Sequence, residues 1–234
     1  MNLPAGDPNY VIAPQPRPAL AVADSPRLFP VRRIYCVGRN YAEHAKEMGH
    51  DPTREPPFFF QKNPDSIVVD GVFPYPSKSK DVHHEIELVV ALASGGCDID
   101  QGDALNHIFG YAVGLDMTRR DLQGEAKKLG RPWEVGKAFD HAAPCSAIRR
   151  AQEIGHPAKG EIRLAVNGAV KQRGDLSEMI WSVPEIIAHL SGLFELQAGD
   201  LIFTGTPAGV GPVARGDRLE GSIAGVGTLT VVVG

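Results

Sequence analysis

Residues 82–92 read VHHEIELVVAL, and the alternation in this stretch decides the fold. Ile86, Leu88, Val90 and Leu92 share one parity with His84, while His83, Glu85, Glu87 and Val89 share the other. That is the period of a β-strand, whose side chains leave alternate faces. Glu85 and Glu87 therefore leave the same face, about 7 Å apart at their Cα atoms. Two bare carboxylates on an otherwise apolar strand are costly to bury, and the cost falls if they share a divalent cation. All-oxygen ligands without cysteine point to Mg²⁺, Mn²⁺ or Ca²⁺ rather than zinc. A solvated strand face is the plainer reading of the pair alone. Asp116 adds weight to the metal reading, because it ends an apolar strand at 108–116 just before a helix.

Outward from this strand the chain is a series of short elements. Residues 32–37 predict a strand ending at Gly38. Asn40 is an N-cap candidate with Glu43 at N3 for a helix to about Met48, closed by Gly49. A strand at 58–61 leads into an Asn63-Pro64-Asp65 turn. Thr118-x-x-Asp121 is expected to open an amphipathic helix stopping at Gly130. A hairpin at 161–173 turns at Asn167-Gly168. Ser182-x-x-Glu185, with Pro184 in the first turn, opens a helix to about Ser191. A strand at 201–204 precedes a Gly/Pro loop at 205–212, and strands at 218–223 and 228–233 close the chain. Many short strands with three modest helices predict an α+β, mainly β domain, without the strand–helix alternation of a dinucleotide-binding fold. Residues 1–30 are Pro-rich and read as an extended leader with an edge strand at Tyr10–Ala13, leaving 31–234 as the main domain.

Composition agrees. The 234 residues include 26 Gly and 19 Pro, which means many turns, and 43% are hydrophobic, enough for a core. Lys plus Arg number 24 against 28 Asp plus Glu, a net charge of −4, so there is no basic surplus for nucleic acid or an anionic membrane. Three cysteines without a C-x-x-C pattern fit a reducing compartment. No apolar run nears the roughly 20 residues of a membrane span. The N-terminus has no signal-peptide pattern, and a cytoplasmic protein is expected.

Other residues offer chemistry in more than one reading. His44 and Glu47, at i and i+3, are either a surface pair or an imidazole oriented by a carboxylate. Arg120 and Gln123 repeat that spacing after Asp116, either on a solvated helix face or as donors to an oxyanion. Lys137 lies between small and aromatic residues, and partial desolvation there would depress its pKa. The 205–212 loop lacks the Gly-Lys-Ser/Thr of a phosphate loop and its prolines remove amide donors, so it predicts a pocket wall with Thr206 as a hydroxyl contact.

Together the stretches YCVGRNYAEHAKEMG (35–49), HHEIELVVAL (83–92), GYAVGLDMTRRDLQ (110–123), RPWEVGKAFD (131–140) and GDLIFTGTPAGVGPV (199–213) resemble the fumarylacetoacetate hydrolase family. The likeness is greatest to its small acylpyruvate-hydrolase branch, and in FPVRRIYCVGRNY and DPTREPPFFFQK to the members that cleave fumarylpyruvate in gentisate breakdown. The resemblance implies a mixed β-roll, a homodimer, and Mg²⁺ or Mn²⁺ held by Glu85, Glu87 and Asp116. It implies His44 and Glu47 as water-activating pair and Arg120, Gln123 and Lys137 as oxyanion donors. Arg39, Tyr41, Lys62 and Thr206 are candidate substrate contacts. Maleylpyruvate hydrolysis, oxaloacetate decarboxylation, 2-oxo-diacid isomerisation and a non-catalytic binding module are the alternatives.

Overall fold

The computed structural model describes residues 10–43 and 55–234. Its central feature is a six-stranded sheet in the order Arg149–Arg150, Ile108–Leu115, Ile86–Leu92, Leu201–Phe203, Ile34–Gly38, Phe58–Lys62. Ile86–Leu92 is antiparallel to both neighbours and all seven of its residues are buried. The two faces of this strand feed two different cores. Ile86, Leu88, Val90 and Leu92 enter the larger one, and Val89 and Ala91 the smaller. The alternation read from the sequence is thus a division between two packed layers, each large side chain contributing about 1.5–3 kcal/mol by leaving water.

The larger core is closed by a five-stranded sheet, in the order Ala169–Asp175, Glu161–Val166, Arg218–Ile223, Gly227–Val233, Val72–Phe73. Ile162, Leu164, Leu219, Val231 and Val233 come from its inner face. The helix Val183–Ser191 adds Val183, Ile186, Ile187 and Leu190 to the same core. That helix begins as expected, with the Glu185 carboxylate accepting from Ser182 N (2.9 Å) and Ser182 Oγ (2.7 Å). The hairpin also turns where expected. Asn167 and Gly168 have φ of 51° and 80°, the left-handed pair a tight two-residue turn requires.

The smaller core is covered by the N-terminal segment. Ala19–Ala21 pairs antiparallel with Leu28–Pro30, and Leu20, Val22, Phe29 and Val31 pack on the sheet. The strand expected at Tyr10–Ala13 is absent. Tyr10, Val11 and Ile12 are exposed, with a bend at Val11 and Ile12, and the apolar contact is made by the later residues.

Two further expectations are corrected. Residues 82–92 form two strands, Val82–His84 and Ile86–Leu92, with Glu85 at the break. Val82–His84 joins a separate three-stranded sheet between Thr118–Arg119 and Gly211–Pro212. The helix after Asp116 is Arg120–Lys128, and Thr118 is a strand residue rather than its cap. Among the described residues no helix is long and apolar enough to cross a membrane.

Candidate active site

The break at Glu85 builds the site. Where the strand leaves one sheet for another, Glu85 O accepts from Asp116 N at 2.9 Å, which fixes the two residues side by side. Glu87 lies two residues on. Carboxylate oxygens of Glu85, Glu87 and Asp116 fall within 4.8 Å of one another, and all three residues are buried. The metal-ligand candidates from the sequence therefore converge.

Cations surround two of the three. Lys137 Nζ reaches Glu85 Oε2 at 2.9 Å and Asp116 Oδ2 at 2.7 Å, and donates to Thr118 Oγ1 at 2.7 Å. Arg120 Nη2 pairs with Glu85 Oε1 and Nη1 donates to Gln123 Oε1 at 2.7 Å, so the two residues share a face as their spacing suggested. Lys137 is buried, which works against its charge, but Asp116 and Glu85 prevail and hold the ammonium above its ordinary range. The depressed lysine expected from the sequence is thus reversed: desolvation came with two carboxylates.

Glu87 is different. Its Oε2 accepts from Gly205 N at 2.7 Å, and among the described residues no cation pairs with it. Burial, then Asp116 and Glu85, push its carboxyl well above the usual range. Gly205 holds that amide in place with φ of 96°, and a Cβ there would lie 2.6 Å from Asn40 Cβ. The Asn40 side chain ties Thr204, just before Gly205, to Trp181. Its Nδ2 donates to Thr204 O (2.8 Å) and Trp181 O (2.9 Å), and its Oδ1 accepts from Trp181 N (2.7 Å).

The candidate substrate contacts separate. Arg39 and Thr206 line the cleft with Glu85, Glu87, Arg120 and Lys137. Thr206 Oγ1 donates to Ile86 O at 2.7 Å and accepts from Gln172 Nε2 at 2.8 Å. Lys62 stands behind Asp116, not on the cleft wall: its Nζ lies 2.7 Å from Asp116 Oδ1 and donates to Met117 O and Lys137 O. Tyr41 is buried and bridges to Met179, and its hydroxyl has no partner among the described residues. Burial and then Glu87 keep its phenol far above the usual range. Ala42 and Glu43 are helical, as expected, while His44 and Glu47 lie outside the described residues.

Sequence reading missed Gln172. It is fully buried, with Oε1 accepting from Ile86 N (3.0 Å) and bonded to His84 Nδ1 (2.9 Å), and Nε2 donating to Thr206 Oγ1 and Pro207 O. It ties the hairpin to both sides of the Glu85 break, and no motif marks it. The sequence also missed Lys127 and the aromatic wall of Phe58, Phe60 and Trp133 at the mouth of the cleft.

Comparison with known proteins places this geometry. The profile of the fumarylacetoacetate (FAA) hydrolase C-terminal family matches residues 33–234. The fold is similar to the crystal structure of fumarylpyruvate hydrolase from Pseudomonas aeruginosa in complex with Mn²⁺ and pyruvate, with TM-score 0.94 and 52% identity, covering 96% of this chain and 99% of that one. A fumarylpyruvate hydrolase from Ralstonia is 43% identical over 185 residues, 79% of this chain and 96% of its own. The mitochondrial oxaloacetate decarboxylase of Dictyostelium discoideum is 42% identical over 199 residues, 84% of this chain and 91% of its own.

Proposed function

Because the chain belongs to the fumarylacetoacetate hydrolase family, we propose that it hydrolyses the C3–C4 bond of an acylpyruvate, fumarylpyruvate first, to fumarate and pyruvate. The observation that carries this reading is a buried trio of carboxylates, one of them without a cation among the described residues, ringed by Arg120, Gln123 and Lys137.

The donor set fits a hard divalent ion: three carboxylates, all buried, oxygen only. Glu85, Glu87 and Asp116 would hold Mg²⁺ or Mn²⁺. A bound ion supplies Lewis-acid charge where the 2-oxo acid end of the substrate sits. Arg120, Gln123 and Lys137 face the cleft as donors for the oxyanion that develops at C4. Donors of this kind each contribute about 3–4 kcal/mol where one has been removed. His44, oriented by Glu47, takes a proton from water as its oxygen adds to C4. The C3–C4 bond then breaks, its electron pair stays with the pyruvate unit, and a proton returned to C3 from Lys137 or His44 completes pyruvate.

The same reading takes residues 31–234 as the catalytic domain behind a leader at 1–30, and the protein as a cytoplasmic homodimer. Light scattering of the purified protein tests the dimer. The similarity to an oxaloacetate decarboxylase favours a second reading, loss of CO₂ from oxaloacetate at the same carboxylates, which needs no activated water. The test is a coupled assay with fumarylpyruvate and maleylpyruvate in Mg²⁺, Mn²⁺ or EDTA. Metal-dependent loss of diketo-acid absorbance with matching pyruvate release supports hydrolysis, and no release with either isomer rejects it.

A further inference from the structure

The mouth of the cleft is built unlike its floor. The floor holds Glu85 and Glu87, with Asp116 buried close by; the mouth holds two cations on aromatic rings. The Arg39 guanidinium lies 5.0 Å from the centre of the Phe58 ring, and Lys127 Nζ lies 4.8 Å from the centre of the Trp133 ring. Phe58 and Trp133 meet edge to face at 5.4 Å, so the two platforms form one wall. All four residues line the same cleft as Glu85, Glu87 and Arg120. Among the described residues neither Arg39 nor Lys127 has an ion-pair partner. The trio's own cations are Lys62, Lys137 and Arg120, so these two are surplus to its charge.

Two further features set the pair apart. Arg39 has φ of 56°, a left-handed conformation that a long side chain adopts only when its surroundings impose it. Lys127 is half-buried beside Arg120, Arg39 and Lys137, an arrangement of like charges that an incoming anion relieves. A single helix, Arg120–Lys128, carries both Arg120 at the floor and Lys127 at the mouth.

We infer that Arg39 and Lys127 form a distal anion subsite, which selects acylpyruvates whose acyl group ends in a second carboxylate. The Phe58, Phe60 and Trp133 rings give an unsaturated acyl chain an apolar wall to lie against. This rests on the proposed placement of the 2-oxo acid end at the carboxylate trio. It adds which residues take the far carboxylate of such a substrate, and so why an acylpyruvate with a neutral tail binds less well.

The test is calorimetric binding to the Mn²⁺-loaded full chain of two unreactive ligands of equal length, 2-oxoheptanedioate and 2-oxoheptanoate. They differ only in the distal carboxylate. Wild type is expected to bind the diacid more tightly by about tenfold or more, the order of a charge-assisted hydrogen bond. Lys127→Met and Arg39→Gln should each shrink that ratio, and Lys127→Arg should restore most of it. Equal affinities in wild type overturn the subsite, as does a ratio unchanged in both charge-removing variants. Turnover of fumarylpyruvate is scored separately. An enzyme that prefers the diacid but cleaves no acylpyruvate keeps the subsite and loses the hydrolase reading. An enzyme that cleaves acylpyruvates with no preference for the diacid does the reverse.

Discussion

Lys62 Nζ lies 2.7 Å from Asp116 Oδ1, and neither side chain exposes any surface. Lys137 holds the opposite oxygen, Oδ2, also at 2.7 Å. One carboxylate is thus gripped by two ammonium groups from different parts of the chain before any ligand arrives. Lys62→Met removes one grip and leaves a buried charge partly unpaired. Breaking a buried pair in this way costs about 3–5 kcal/mol. Urea denaturation of the metal-free protein should show a loss of that order.

Glu87 predicts the opposite behaviour. Its buried carboxylate has an amide donor and no cation among the described residues, so it burdens the metal-free fold. Glu87→Gln keeps the shape and removes the charge. Melting in EDTA should be unchanged or higher, while Mn²⁺ affinity by calorimetry should fall by more than the roughly 10–100-fold lost when outer partners of a metal site are mutated. A lower melting temperature with intact Mn²⁺ binding would remove Glu87 from the ligand set.

Gln172→Leu should reach the site without touching it. The substitution strips the partner from Ile86 N and from His84 Nδ1, and loosens Thr206. Each buried donor left unpaired costs about 1–3 kcal/mol. Denaturation should show that loss. Mn²⁺ affinity should weaken with it, because the Glu85 break is no longer tied to the hairpin. An affinity that stays constant while stability falls would make Gln172 a purely structural residue.

The distal pair carries a pH signature. Burial first, then Arg120, Arg39 and Lys137, pull the Lys127 ammonium down to about 8, with Glu85 opposing. The charged form persists below that value and is lost above it. The preference for 2-oxoheptanedioate over 2-oxoheptanoate should therefore decline as pH rises from 7 to 9, since both ligands share every other titration in the site. In Lys127→Arg it should stay level over the same range. A level profile in wild type would take Lys127 out of the subsite.

Much of this was legible in the sequence because it rests on local pattern. The alternation from Ile86 to Leu92 marks two packed faces, and Glu85, Glu87 and Asp116 stand at strand ends where a buried site forms. The Asn167-Gly168 turn and the Ser182–Glu185 cap follow from backbone chemistry within a few residues. What was not legible depends on distant partners. Nothing near Lys137 in the chain says that Glu85 and Asp116 will raise its pKa, nor that Lys62 will face Asp116. Thr118 reads as a helix cap because the spacing to Asp121 suits one, yet its hydroxyl serves Lys137 and the Asp116 carbonyl. Gln172 lies on a hairpin of ordinary composition, and only the packing of one sheet against the other brings it to the site.

Hydrolysis at the carboxylate trio is tested most directly by one comparison: kcat/KM of a single Mn²⁺-loaded preparation for fumarylpyruvate and for oxaloacetate, with pyruvate measured for both. Hydrolysis at this site predicts that fumarylpyruvate is the better substrate, that fumarate and pyruvate appear in equal amounts, and that EDTA abolishes both. Loss of CO₂ from oxaloacetate with no cleavage of fumarylpyruvate would contradict it, leaving the carboxylate trio with a different reaction.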